Sequence, residues 1–539
     1  MFVARRRKSL PDVVDPRWEK RFPAACALLV ATTAFVGALA KLSQANALTL
    51  GAQDFWLFVD MLRGMEAGVP FVTRFAPQAI GYVQHGAVHA FFGWYLALPL
   101  TWLAGPFAAA LLFGPLMLSA ATGVLALALR PAAGAQTALI AAGLFWLCSP
   151  AGKILMYDVH PEAAYPLAVF AWAWAAGWFV PMNAHETESA DHPDQPPAPL
   201  SFARGVGVAL LTLAGMSIKE DGFLVFLPLA LWLAIRPSRG AVVAHRRASG
   251  WITLTAVVAG TAWQFHSLHQ WASGNWGPAH WQGLPVQIAA GPDLFHGIHW
   301  DSPESAGRIL SAILDSEGGP RAVAGDLARF LVSRAWLSLL FLVPWVIPRL
   351  GFWVCILPLA GTLALLGRAS HLSLYYSAPM LGTIWIFAAD SLLRQPVRTR
   401  RAWTAYWIAA TLLIGSGSAE FWIPSSLAQA IRADTRQKLP CLLPLPLHQG
   451  WVSARLFREL PESAFEKVLT ERPPSATVDG LSFAWLVPGT DDATTEAWRA
   501  KLNQDPAWVV LDGQCRITSV NASETTVLFV KKAIVTRQR

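Results

Sequence analysis

Ionisable residues occur in small groups between apolar runs of this chain, and the tightest are Asp158-Val159-His160-Pro161-Glu162 and Lys219-Glu220-Asp221. A charge in or beside a long apolar run is costly, so each needs a partner or a task. In an extended stretch Asp158, His160 and Glu162 alternate onto one side. Pro161 disfavours helix at His160 and can open the next helix, leaving Glu162 at that helix's positive end. The trio suits a divalent cation or a polar substrate; the plainer alternative is a Glu that complements a helix dipole. In the triplet at 219–221, Lys219 can bind an anionic headgroup while Glu220 or Asp221 orients it. The plainer alternative there is a solvated turn. Asp54 lies among Phe55, Trp56 and Phe58. A carboxylate held among aromatics is a stronger base, although an Asp that caps a helix start is at least as common. Asp60, six positions on, falls on a different helix face. His85 and His89 share a face if helical, but two histidines without a third ligand are more often a surface pair. His371 and Tyr375, one helical turn apart, can add a hydrogen-bond donor.

Other chemistries lack their signatures. There is no G-x-x-x-x-G-K-[ST], no G-x-G-x-x-G after a strand, no zinc-type Cys/His spacing and no G-x-S-x-G elbow. An activated donor must therefore arrive in some other form, and a lipid-linked one fits the surroundings described next.

Those surroundings are a membrane. Of 539 residues, 54% are hydrophobic and 14% charged, with a mean hydropathy of +0.40. A soluble globular chain carries about 25% charged residues, and a disordered one is poorer still in apolar residues. The 26 Trp residues suit a lipid–water boundary. A bilayer core takes about 20 apolar residues per helix. About eleven such runs are expected, near 22–41, 106–129, 135–150, 164–181, 204–218, 222–235, 251–270, 332–347, 350–368, 376–393 and 402–419. The stretch 86–104 holds His89, Trp94, Pro99 and Trp102 and reads as an interfacial or re-entrant helix.

The net charge of +8 reflects basic residues in short loops, which set orientation and give no nucleic-acid footprint. Arg5, Arg6, Arg7, Lys8, Arg17, Lys20 and Arg21 place residues 1–21 in the cytoplasm. If 86–104 does not cross, Arg130, the loop 182–203, Arg236 to Arg247, Arg349 and Arg394 to Arg401 all fall inside. The first outer loop 46–105, the large outer loop 271–331, the connections 151–163, 219–221 and 369–375, and the tail 420–539 then fall outside. Every candidate residue above shares that outer side, as do ten of the thirteen histidines. The first span also has a basic start and an Ala38-Leu39-Ala40 site, as a cleaved signal peptide would, but it is long enough to span by itself.

Residues 22–419 thus read as a transmembrane domain and 420–539 as a small extracytoplasmic α/β domain. Strands are expected at Trp508–Asp512 and Thr526–Val530, and helices at 453–470 and 491–503. Cys26, Cys148 and Cys355 lie in apolar spans and should be inert. Cys441 and Cys515 lie in the tail, where either a disulfide or two free thiols fit.

Taken together, the chain resembles a bacterial multi-pass membrane family, domain of unknown function 2079, itself similar to the GT-C class of membrane glycosyltransferases. The resemblance covers most of 46–395. It is carried by Asp54 with Gly68, His89 with Pro99, His160-Pro161-Glu162, Lys219-Glu220-Asp221, and His371 through Tyr376 to Pro379; the tail with Val509-Val510-Leu511-Asp512 also looks alike. Two departures stand out. Val59 occupies the position of a second family Asp, so Asp60 inherits no role, and Ala90-Phe91-Phe92 replaces a Ser-Pro after His89. The resemblance implies an all-α polytopic fold in the inner membrane, a polyprenyl-phosphate sugar donor, and first-loop helices lying along the membrane. It further implies Asp54 as catalytic base, Lys219 with His89 on the donor phosphate, and His160 and Glu162 on the acceptor or a divalent cation. Two other classes remain open: a lipid or solute transporter or flippase, and a non-catalytic assembly protein. No inverted repeat or matched pair of Gly/Pro-broken spans favours the transporter.

Overall fold

The computed structural model describes residues 16–46, 92–156, 160–179, 201–235, 241–272, 344–365, 378–395, 397–417, 450–452, 483–486, 500–510, 516–519, 522–525 and 527–531, with scattered positions in 58–68 and 321–328. Long apolar runs make the helices: α1 (Pro16–Asn46), α2 (Leu98–Ala133), α3 (Ala135–Leu147), α4 (Ser149–Met156), α5 (Tyr165–Ala175), α6 (Phe202–Met216), α7 (Gly222–Ile235), α8 (Ala241–Ala272), α9 (Leu350–Leu365), α10 (Ala378–Leu393) and α11 (Val397–Gly417). Short 3₁₀ segments at Phe92–Ala97 and Pro161–Ala164 lead into α2 and α5.

Sequence punctuation explains several boundaries. Ser201 opens α6, its hydroxyl accepting from the Arg204 N–H at 3.4 Å. The apolar run 135–150, expected as one span, breaks at Cys148, whose backbone is extended, two residues before a Pro150 that cannot donate to the Trp146 carbonyl. The stretch 86–104 is described from Phe92 onward. Gly105 has φ +82° and interrupts α2, so Leu98–Ala104 is separated by a kink from the longer helix that follows. Seven helical residues reach only about 10 Å, far short of a bilayer core. The basic stretch 236–247, expected as loop, is helical from Ala241, which puts Arg246 in the first turns of α8.

α1 packs on α2 and α3; α5 lies among α2, α6 and α10; α7 lies between α8 and α9. The helices run between two ends. At one end Arg130 (α2) bonds Glu19 (α1), Arg204 (α6) bonds the Ala175 carbonyl at 2.7 Å, and Arg246 (α8) bonds the Gly177 and Trp178 carbonyls at 3.1 and 3.0 Å. At the other end meet the turn before α2, the turn before α5 and the connection between α6 and α7. Gly93 lies so close to Ile218 there that an added Cβ would meet its Cα and carbonyl O at 3.0 Å.

The interior is apolar and aromatic, with Trp385 stacked on Trp407 at 4.6 Å and Phe145 edge-on to Phe170 at 5.1 Å. The outside is apolar too. Leu28, Phe35, Trp102, Leu103, Phe202, Leu210, Ile235, Trp251, Val258 and Leu350 are exposed, Leu103 by 84% and Phe202 by 88%. Each such side chain left in water forfeits about 1.5–3 kcal/mol, a penalty that lipid removes. Among the described residues Pro16–Leu42 and Phe92–Ala133 suffice by length and composition to cross a bilayer, and five shorter apolar helices accompany them. Cys26, Cys148 and Cys355 are buried free thiols, and Cys441 and Cys515 lie outside the described residues.

In the tail, β1 (Gly450–Val452) pairs in parallel with β2 (Phe483–Leu486), and β6 (Val527–Lys531) runs antiparallel between β2 and β3 (Trp508–Val510). β4 (Arg516–Ser519) and β5 (Ala522–Thr525) form a separate antiparallel pair. β3 begins at Trp508 as expected and β6 at Val527, one residue later than expected; of the helices expected at 453–470 and 491–503, residues 500–504 are helical and 453–470 and 491–499 lie outside the described residues.

Candidate functional site

The two triplets meet. His160 is extended (φ −134°, ψ 144°), and Pro161 starts the 3₁₀ turn that brings Glu162 under the N-terminus of α5. The α6–α7 connection brings Lys219 to the same spot. Lys219 Nζ donates to Glu162 Oε1 at 2.8 Å, and His160 Nδ1 lies 3.4 Å from Glu162 Oε2. All three are buried, Glu162 completely. Lys219 is therefore an interior cation clasped by a carboxylate, and the solvated-turn alternative does not hold for it.

Around this pair is a second layer of polar contacts. Tyr165, one helical turn beyond Glu162, donates its hydroxyl to the Asp221 carboxylate. It also lies 3.4 Å from the Lys219 carbonyl. Gln264 of α8 donates its amide to the Lys219 carbonyl at 3.0 Å and to the Met216 carbonyl. These bonds fix the backbone of the tight turn, so the ammonium is aimed by the fold. Aromatic rings close the other side: Phe58 stands edge-on to His160 at 5.1 Å and packs on Trp94 at 4.8 Å.

The electrostatics differ between the two carboxylates. Burial would raise the Glu162 pKa, but the Lys219 ammonium and the His160 imidazole outweigh it and hold the carboxyl below the usual range. Asp221 is pushed up to about 7 by burial and by the neighbouring Glu162 and Glu220 charges, against the pull of Lys219 and the Tyr165 hydroxyl. One carboxylate is thus held ionised to fix a cation, while the other can gain or lose a proton near neutrality.

Of the residues singled out from sequence, His160, Glu162, Lys219 and Asp221 are brought together, with Glu220 close enough to raise Asp221 electrostatically. Asp54, His89, Asp158, His371 and Tyr375 lie outside the described residues. Among the described residues no three His, Cys, Asp or Glu side chains are grouped to hold a metal ion. Tyr165 and Gln264 are members that sequence reading missed. Their signals were faint: a Tyr three positions after Glu162, and one of two Gln residues in the run 251–270.

No family model matches the chain, that of domain of unknown function 2079 included, and no curated protein matches it. Solved structures do. ArnT from Cupriavidus metallidurans bound to undecaprenyl phosphate overlaps with a TM-score of 0.50 at 12% identity, over 93% of this chain and 97% of that one. The fold is GT-C. Two looser overlaps carry no weight. They are ArnT in the apo state (TM-score 0.42, 13% identity, 93% and 97% coverage) and the Archaeoglobus fulgidus oligosaccharyltransferase tethered with an acceptor peptide (0.37, 11%, 85% and 69%). A bundle of this fold whose helices present apolar side chains outward belongs in a membrane.

Proposed function

We propose that the chain is a membrane glycosyltransferase that moves a sugar from a polyprenyl-phosphate donor to an acceptor at the extracytoplasmic face. The observation that supports it most is the buried Lys219–Glu162 pair, 2.8 Å apart, at one end of a GT-C fold. An ammonium fixed in a low-dielectric site is suited to a developing phosphate charge. The architecture proposed with it has about eleven spans in residues 22–419, residues 1–21 in the cytoplasm and 420–539 as an extracytoplasmic α/β domain. The bacterial inner membrane is the location, and the resemblance to domain of unknown function 2079 belongs to the same reading.

In the proposed reaction Asp54 takes the proton from an acceptor hydroxyl. The oxygen attacks the anomeric carbon in line, the bond from that carbon to the phosphate oxygen breaks, and polyprenyl phosphate leaves with inversion. Lys219, held by Glu162 and aimed by Tyr165 and Gln264, stabilises the leaving phosphate together with His89. Glu220 or Asp221 orients that phosphate, His371 and Tyr375 add a hydrogen-bond donor to the same place, and His160 with Glu162 positions the acceptor. A divalent cation at Asp158, His160 and Glu162 is the variant of this reading in which Glu162 serves two partners. The ArnT structure that shares the fold is bound to undecaprenyl phosphate, a lipid of the proposed donor class.

The test offers purified protein in liposomes a panel of polyprenyl-phosphate sugars and follows the donor by mass spectrometry. Wild type should consume one of them. Asp54→Asn should lower turnover at least about a hundredfold, the scale of a lost general base. Full turnover in Asp54→Asn would remove it as the base, and no consumption of any donor by wild type would overturn the reading.

A further inference from the structure

Two carboxylates flank Lys219, and only one is committed to it. Glu162 is wholly buried and takes the ammonium at 2.8 Å. Asp221 is half-buried. Its Oδ1 accepts from the Tyr165 hydroxyl; among the described residues its other oxygen has no donor and is not enclosed, so it is open to a ligand. The turn that carries it is tight. The Gly222 N–H donates to the Lys219 carbonyl at 3.0 Å, and a Cβ on Gly222 would meet the Met216 Cα at 2.8 Å. Asp221 is thereby kept beside the ammonium, within electrostatic reach of Lys219 and Glu162.

The proposed transfer gives such a carboxyl a task. A donor phosphodiester carries one negative charge, and the phosphomonoester that departs gains a second above its pKa of about 6. Lys219 meets that charge while already bonded to Glu162. A proton delivered to the departing oxygen cancels it outright. The titratable groups facing Asp221 are Tyr165 of α5, Glu162 before α5 with His160 behind it, and Lys219 and Glu220 of its own turn; Gln264 of α8 is neutral. Burial and the two glutamates hold its pKa at about 7, close to that of a phosphomonoester. An acid works best when its pKa lies near the working pH.

We propose that Asp221 is the general acid of the transfer, its carboxylic O–H donating to the phosphate oxygen bonded to the anomeric carbon. The inference rests on the transferase reading and adds an acid to it. As the bond from the anomeric carbon breaks, its electron pair stays on that oxygen, which takes the Asp221 proton. Polyprenyl hydrogen phosphate leaves, Asp221 is left ionised, and Asp54 holds the proton of the acceptor hydroxyl. Exchange with water then returns both carboxyls to their starting states. Tyr165 is the positioning residue, donating to the carboxylate so formed.

The experiment counts protons. Undecaprenyl phosphate is titrated calorimetrically into the full chain in detergent, in two buffers of different ionisation enthalpy, at about pH 8, above both pKa values. Both free partners are ionised there, and the complex holds one proton between carboxyl and phosphate. Wild type should take up about one proton per lipid bound, and Asp221→Asn, which can donate a hydrogen bond but not titrate, about none. With a polyprenyl-phosphate sugar, wild-type turnover should fall as pH rises past about 7, where Asp221 loses its proton. Asp221→Asn should be slower at least about a hundredfold. Equal proton uptake by wild type and variant, or none by wild type, would overturn the proposal and leave the transferase reading standing. A wild type that binds no undecaprenyl phosphate would overturn both. Should Asp221→Asn not fold, Tyr165→Phe removes the hydroxyl that favours the ionised carboxyl. Asp221 then keeps its proton to higher pH, so uptake at the same pH must shrink, or the proposal fails.

Discussion

Lys219 and Glu162 make one buried unit, and its energetics follow from that. Removing one member of a buried ion pair strands the other and costs about 3–5 kcal/mol, whereas replacing both is often nearly neutral. Lys219→Met and Glu162→Gln should each be strongly destabilising, and the double variant no worse than either. Unfolding midpoints in detergent test this, and simple additivity would mean the two side chains act apart. The pH behaviour has two opposing parts. Glu162, held below the usual carboxylate range, contributes stability that is present above an unfolded value of about 4.3 and drains away as acid protonates it. Asp221 does the reverse. It binds its proton more tightly folded than unfolded, so between about pH 4 and about 7 its contribution falls as pH rises. Asp221→Asn should therefore flatten the decline in unfolding midpoint across that window; an unchanged slope would remove the raised pKa. Much of this site was readable in the sequence, because charges beside apolar runs announce themselves and Pro161 fixed the turn at Glu162. The bond between Tyr165 and Asp221 was not, since it depends on where α5 and the α6–α7 connection meet, which spacing along the chain does not contain.

At the scale of elements, the site depends on a close approach of two backbones. Gly93, in the turn before α2, has room for no side chain: a Cβ there would meet Ile218 at 3.0 Å and the Pro161 ring at 3.2 Å. Ile218 precedes Lys219 and Pro161 precedes Glu162, so one methyl would push on both arms of the ion pair. Gly93→Ala should cost about 1–3 kcal/mol by overpacking and reduce donor turnover, measured by thermal unfolding beside the transfer assay. Wild-type stability would mean that the turn shifts without cost. Helix existence was legible from apolar runs, but some boundaries were not. Hydropathy joins 135–150 into one run, yet Pro150 has no N–H for the Trp146 carbonyl and its ring would clash there, so the helix breaks at Cys148. Conversely, Arg246 looks like a loop residue by charge, but the carbonyls ending α5 give it buried partners inside α8.

The molecule as a whole has two unlike ends. Glu162, Lys219 and the turn before α2 share one; Arg130, Arg204, Arg246, Arg349 and Arg394 share the other. Tyr95 and Ser201 are exposed at opposite ends. With Cys441 and Cys515 replaced by serine, a membrane-impermeant thiol reagent should label Tyr95→Cys on intact cells, and Ser201→Cys only after permeabilisation. The opposite pattern would reverse the proposed orientation. Composition alone pointed to a membrane protein, and charge between apolar runs suggested its sidedness; which helices neighbour one another came only with the fold. Glu19 carries a consequence for biosynthesis. Its carboxylate accepts from Arg130 at 2.9 Å and from the Ala135 N–H at 2.8 Å, partners 111 and 116 residues later in the chain. At roughly 5–20 residues per second, a ribosome needs about 6 to 23 s to supply them. For that interval this end of the first helix lacks both partners, so the contact that ties α1 to α2 and α3 closes only once the start of α3 has been made.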